Sequence, residues 1–168
     1  MKIEFGSLTN QRPAGKHAVR PWIAEEFPEL LADFNCKLVA LELERTFWEK
    51  ATILHAEYHR DAAKPIRDRF SRHYADTAAM ATRDEISTAL SNSELRQYVA
   101  DWKSRFFPSS WARYDLAKPG TFHLVPSEAR KAELEKDYLD MRPMFLNEPP
   151  SFASLLKTLT ELENRINR

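Results

Sequence analysis

The stretch Thr46-Phe-Trp-Glu-Lys-Ala-Thr-Ile-Leu-His-Ala-Glu-Tyr58 decides the fold. Phe47, Ala51, Leu54 and Tyr58 recur at steps of four, three and four, which lays one apolar stripe along an α-helix. Thr46 and Glu49 have the spacing of a capping box, in which hydroxyl and carboxylate each satisfy an orphan backbone donor. The spacing predicts a helix that starts at Thr46.

Toward the C-terminus the same period returns. Ile66, Phe70, Tyr74, Thr77 and Met80 predict a helix after Pro65. Ser91-Asn-Ser-Glu94 repeats the capping-box spacing ahead of Leu95, Val99, Trp102 and Phe106, and Pro108 ends that helix. Ser127 opens a helix bearing Leu134, Tyr138, Met141 and Phe145, which Pro149-Pro150 breaks. Ser151 opens the last, with Phe152, Leu155, Leu159, Leu162 and Ile166 facing inward. Residues 108–126 are a loop rich in aromatic and basic side chains, with a turn at Pro119-Gly120. These stripes predict that Phe47, Leu54, Trp102, Leu155 and Leu159 are buried.

Toward the N-terminus the period changes. Lys2-Ile3-Glu4-Phe5 alternates polar and apolar residues as a half-buried strand does, and residues 36–44 alternate as well, so the two are candidate partners in a small ribbon. Between them Gly6, Asn10, Pro13 and Gly15 mark a polar stretch with turn signals.

A chain of 168 residues suits one domain with a single core. Three glycines against 43% apolar residues argue for helices with few tight turns. The fold class is mostly α: a bundle of about five helices with a short N-terminal β element. Lys plus Arg and Asp plus Glu are both 25, so any nucleic-acid contact must be local. A lone cysteine, Cys36, excludes an internal disulfide and a thiolate zinc cluster within one chain. No leader and no apolar run of membrane-spanning length stands out, so we expect a protein of the reducing cytoplasm.

Two segments resemble motifs of one family. Arg45-Thr-Phe-Trp-Glu-Lys-Ala-Thr-Ile-Leu-His-Ala56 and Ser71-Arg-His-Tyr-Ala-Asp-Thr-Ala78 are similar to the third and fourth motifs of the AbiEii-type nucleotidyltransferase toxins. Ile3-Glu4-Phe5 looks like the end of the second motif, and Trp111-Ala-Arg-Tyr-Asp-Leu-Ala117 with Pro119-Gly-Thr121 resembles the C-terminal part of one bacterial branch. The resemblance implies that Lys50 and Arg72 bind a nucleoside triphosphate and that Glu4 and Asp76 are the acidic site residues. It implies Mg2+ and NTP as cofactor and substrate, a tRNA acceptor and an antitoxin partner. Arg113 and Lys118 are the candidate RNA contacts, and no metal ligand is assigned. The implied organisation is a remnant of the nucleotidyltransferase β region in residues 1–44 and a helical C-terminal domain in residues 45–168.

The departure from the family is specific. Its first motif, Gly-Ser followed by Arg-Asp-x-x-Asp, is absent, for Gly6-Ser7 is followed by Leu8-Thr9-Asn10. Enzymes of this kind use clustered carboxylates to hold Mg2+ on the phosphates, and Glu4 with Asp76 is a poor cage. We therefore expect the chain to match about the last half of a toxin, needing a separate N-terminal piece for activity or acting without catalysis as a helical interaction module for antitoxin or RNA.

Each candidate also has a plain structural reading. Lys50, one turn into its predicted helix, sits where phosphate is favoured, or is a solvated lysine. Asp76, four residues after Arg72, is a site acid or half of an exposed ion pair. His55 and His59 have the spacing of two zinc ligands on one helix face, but the acid between them is Glu57, out of place for that motif, which leaves a polar helix edge. His73 and His123 add nothing at ligand spacing. Residues 96–118 carry Arg96, Lys103, Arg105, Arg113 and Lys118 among Trp102, Phe106, Phe107, Trp111 and Tyr114, a pattern that stacks on looped RNA or caps a core. The helical stripe through Trp102 and Phe106 favours the core.

Overall fold

The computed structural model describes residues 12–32 and 34–168. Strand β1 (Ala14–Val19), the one-turn helix α1 (Ile23–Glu26) and strand β2 (Cys36–Leu41) come first. Helices α2 (Leu43–Tyr58), α3 (Arg72–Ala81), α4 (Ile86–Ser91), α5 (Ser93–Phe106), α6 (Glu128–Asp140) and α7 (Phe152–Ile166) follow, with 3-10 turns at Tyr114–Leu116 and Arg142–Met144. The mostly helical fold with a short β element is the one expected. The strand expected at residues 2–5, and Glu4 with it, lies outside the described residues.

The partner of β2 is β1, antiparallel with Ala14 opposite Leu41 and Val19 opposite Cys36. That stretch reads as a turn in the sequence because Pro13 and Gly15 punctuate it. The ribbon meets the bundle at its base, where Glu42 N donates to Pro13 O at 3.1 Å and Arg45 Nη1 to Arg12 O at 2.8 Å.

Helix α2 is the centre of the bundle, packing against α3, α4 and α5, while α7 lies on α3. It begins at Leu43 with Glu42 as its N-cap, so Thr46 is interior and the expected capping box does not form. Thr46 N already donates to Glu42 O at 3.0 Å, which leaves the Thr hydroxyl no cap to make. Phe47, Ala51 and Leu54 are buried as the stripe demands, Tyr58 is half-buried, and Trp48, off the stripe, is buried too. Trp48 meets Phe47 and Phe122 edge to face and donates its indole N–H to Ala89 O at 3.1 Å, so its one polar atom is satisfied in the core.

Helix α7 follows its sequence most closely. Ser151 Oγ accepts from Ser154 N at 3.2 Å, and Phe152, Leu155, Leu159, Leu162 and Ile166 are all buried. Helix α5 is capped one residue later than expected, by Asn92, whose side chain accepts from Leu95 N. Helix α6 ends at Asp140 and does not reach Phe145. Pro143 has no N–H for the Leu139 carbonyl and its ring clashes there. Gly120, at φ +85°, makes the turn expected at Pro119-Gly120. Of the five side chains expected in the core, four are at most 1% exposed; Trp102 is half-buried on the outer face of α5.

Candidate functional site

Two neighbouring residues of α2 face opposite ways and define the site. Glu49 turns toward α5. Its carboxylate accepts from Arg45 Nη2 at 2.5 Å and pairs with Lys103 Nζ at 2.6 Å. Burial pushes the Glu49 carboxyl up, and Lys103 and Arg45 outweigh it and hold the group below its ordinary value. Arg45 is wholly buried, its guanidinium 5.5 Å from the Tyr98 ring centre and 6.0 Å from that of Trp102. This part of the motif ties α2 to α5.

Lys50 turns toward α3. Its Nζ is 2.6 Å from Asp76 Oδ2 and 3.4 Å from His73 Nδ1. The side chains of Lys50 and Asp76 are 25% and 49% exposed, so solvent and ligand reach the pair. Because α2 starts at Leu43, Lys50 lies two turns inside it, and the expected help from that helix's N-terminus does not apply. Asp76 takes Lys50 as its ion-pair partner across the helices rather than Arg72 one turn back. Arg72, exposed at the first position of α3, still belongs to the cluster: burial, then Lys50, then Arg72, with Arg67 adding, push the His73 imidazole down to about 4. Lys50 thus touches both His73 and Asp76, and Arg72 stands one turn before Asp76 on α3.

His73 is a residue that the sequence reading missed. Its signal was present, three residues before Asp76 on one helix face, but only the fold brings Lys50 between them.

Arg113 and Lys118 are exposed on the loop after α5, flanking the 3-10 turn. Arg113 is left-handed at φ +44°, and its guanidinium pairs with Asp115 at 3.0 Å. With Ser104, Ser109, Ser110 and Tyr114 it lines an open cleft of about 430 Å3. Tyr114 links this loop to the centre: burial, then Glu49, raise its hydroxyl pKa, while Arg67 opposes them.

His55 is a buried residue and not the polar helix edge expected of it. Its Nδ1 accepts from His123 N at 3.1 Å and its Nε2 donates to Arg113 O at 3.0 Å, which spends both nitrogens. Burial, with His59 and His123 adding to it, pushes its pKa down to about 4. His123, which adds nothing at ligand spacing in the sequence, stacks on Tyr58 at 3.8 Å and closes this aromatic group.

The described residues do not fit Mg2+. Among the described residues no three His, Cys, Asp or Glu side chains converge as a metal seat, and the Asp76 oxygen that faces the cluster is taken by Lys50. The Asp-x-x-Asp spacing occurs at Asp137 and Asp140 on α6, where Asp137 is committed to packing. It accepts from Arg69 N at 2.7 Å, Ser71 N at 2.8 Å and Ser71 Oγ at 2.5 Å, fixing the entry to α3. No described helix is long and apolar enough to cross a membrane.

Comparison with known proteins gave no match among curated proteins and none among solved structures. The family model described as nucleotidyl transferase AbiEii toxin, type IV toxin–antitoxin system, matches residues 1–158, a span that takes in Lys50, Arg72, His73 and Asp76. The chain belongs to the AbiEii nucleotidyl transferase toxin family of type IV toxin–antitoxin systems.

Proposed function

We propose that the chain is the nucleotide-handling helical part of an AbiEii-type toxin, which when complete transfers a nucleotide from an NTP to an RNA acceptor such as tRNA. The observation that carries this is the accessible Lys50–Asp76 ion pair between α2 and α3, which joins two separate motifs, with Arg72 exposed one turn before Asp76. Lys50 and Arg72 offer charge to the triphosphate, and neutral His73 beside Lys50 adds no charge of its own. In the transfer, the acceptor's hydroxyl oxygen bonds to the α-phosphorus as the α–β bridging bond breaks, and pyrophosphate leaves. The hydroxyl proton passes to a carboxylate, for which Asp76, with Glu4, is our assignment. Arg113 and Lys118 are assigned to the RNA. We assign residues 1–44 to the nucleotidyltransferase β region and residues 45–168 to the helical domain. In support, the main hydrophobic cluster among the described residues is built from Phe47 onward.

Family membership implies an antitoxin partner. One observation favours a second reading, a non-catalytic module that binds antitoxin or RNA: the carboxylate at Lys50 is Asp76 alone among the described residues. Transfer of labelled nucleotide to bulk tRNA, with Mg2+ and with or without an added fragment carrying the Gly-Ser and paired-aspartate motif, separates the two. We expect no transfer by the chain alone and transfer with the fragment, lost in Lys50→Ala and Asp76→Asn. Transfer by the chain alone that depends on Asp76 contradicts the need for the fragment, and none in either mixture supports the module.

A further inference from the structure

Helix α5 has two faces, and one of them is buried against the bundle. Leu95, Val99, Ala100 and Lys103 are buried against the bundle. On the other side Tyr98, Trp102 and Phe106 stand at steps of four, with Phe107 beside them. Tyr98, Phe106 and Phe107 are 44%, 39% and 50% exposed. Trp102 and Phe106 were expected in the core; Trp102 is half-buried and Phe106 exposed.

The stripe is a connected surface. The Trp102 ring lies 5.0 Å from Phe106 and 5.4 Å from Phe107. A shallow groove of about 390 Å3 along it is lined by Tyr98, Asp101, Trp102, Arg105 and Phe106, with no aliphatic side chain. Cations attend each ring: Arg45 beneath Tyr98 and Trp102, Arg105 at 5.6 Å from Phe106, Lys103 at 5.9 Å from Phe107. Arg105 is in no ion pair among the described residues, and Asp101, the acid of the groove, accepts from Gln97 at 2.8 Å. Exposed rings beside the exposed Arg105 are the chemistry of base stacking, with a cation for the backbone and π faces for any base.

We propose that the outer face of α5 is a stacking track for single-stranded RNA, which Tyr98, Trp102 and Phe106 engage through base stacking and Arg105 through the phosphates. Beneath the rings Arg45 is bonded to Glu49, on the side of α2 that meets α5. The inference gives the acceptor of the proposed function a docking surface, and in that respect rests on that reading.

The test is fluorescence anisotropy of a labelled single-stranded RNA 12-mer and of the same sequence as a duplex, titrated with the full chain. We expect the single strand to bind more tightly than the duplex. Trp102→Ala and Phe106→Ala should each weaken it about tenfold, as loss of one stacking partner does. Trp102→Phe should keep binding, which separates stacking from damage to the fold, as should unchanged circular dichroism in Phe106→Ala. NTP binding measured on the same variants should not change. Single-strand binding that is equal in Trp102→Ala and wild type, or equal for strand and duplex, overturns the track while leaving the nucleotide site standing. Stripe-dependent RNA binding alongside absent NTP binding upholds the track and removes the nucleotide reading. Self-association of the chain that is lost in Trp102→Ala assigns the face to a second copy and overturns the proposal.

Discussion

Between Ala14 and Leu41 the described chain buries one side chain, Ala24, while Val19, Trp22, Ile23, Phe27, Leu30, Phe34, Leu38 and Val39 stand exposed. From Leu43 to Ile166 the same residue types close into a core around Phe47, Trp48, Tyr74, Phe122, Leu134 and Leu159. Both regions form regular backbone hydrogen bonds, a two-strand ladder in one and helical turns in the other. The difference is that, among the described residues, the two-stranded ribbon has no third layer over its faces, whereas α2 has neighbours on three sides. Secondary structure alone stabilises little; burial against other elements supplies most of the stability. Stability should therefore reside in the helical region.

Substitutions that probe the contrast should rank accordingly. Trp48→Ala opens a cavity in the core and unties the bond to Ala89, and should cost about 3–5 kcal/mol in urea denaturation. Arg130→Ala comes next. Arg130 is 2% exposed, bonded to Glu133 at 2.9 Å and to Asp61 O at 2.7 Å, and lies 3.8 Å from buried Glu57. Arg60, 3.2 Å from Glu57, keeps that acid partly paired, so the loss should be about 3 kcal/mol, at the low end for a broken buried pair.

The pH dependence is smaller and has a definite sign. His55 is held neutral in the fold, with a pKa of about 4 against the usual 6.5, so the unfolded chain binds the extra proton between those values. Its contribution is complete above about pH 6.5 and is lost as pH falls toward 4. Unfolding free energy should drop between pH 7 and pH 5, with His55 and His73, both held near 4, each contributing about 1 kcal/mol per unit below the ordinary histidine range. His55→Gln, which keeps a donor and an acceptor, should remove its share of that slope and leave the share of His73. At the bottom of the scale, Val39→Ala in the ribbon should shift stability by less than about 0.5 kcal/mol. A ribbon variant as damaging as Trp48→Ala would erase the contrast.

What the sequence makes legible follows the same division. The α7 stripe and its Ser151 cap read correctly because both are local: a period of 3.6 and a hydroxyl three residues from the amide it accepts from. The entry to α2 misread because Thr46 and Glu49 carry a local signal that a tertiary one overrides, Glu49 being drawn to Lys103 from a helix 54 positions on. Lys50 and Asp76 were legible through the motifs, as types at a spacing. Their 2.6 Å contact, and His73 beside it, were not, because no period in the chain encodes which face of α2 meets α3. Trp102 shows the limit of periodicity most plainly. A stripe of aromatics on a helix fixes a common face without saying whether the fold covers it.

The nucleotide reading places binding in the stable helical region, on Lys50, independent of the ribbon. Isothermal titration calorimetry of an NTP into the full chain, wild type against Lys50→Ala, tests this most directly. We expect weak binding by the wild type and a several-fold loss in the variant, with the fold unchanged because the Lys50 side chain is partly exposed and outside the core. Equal affinity in the two proteins would contradict the assignment of Lys50 to the triphosphate.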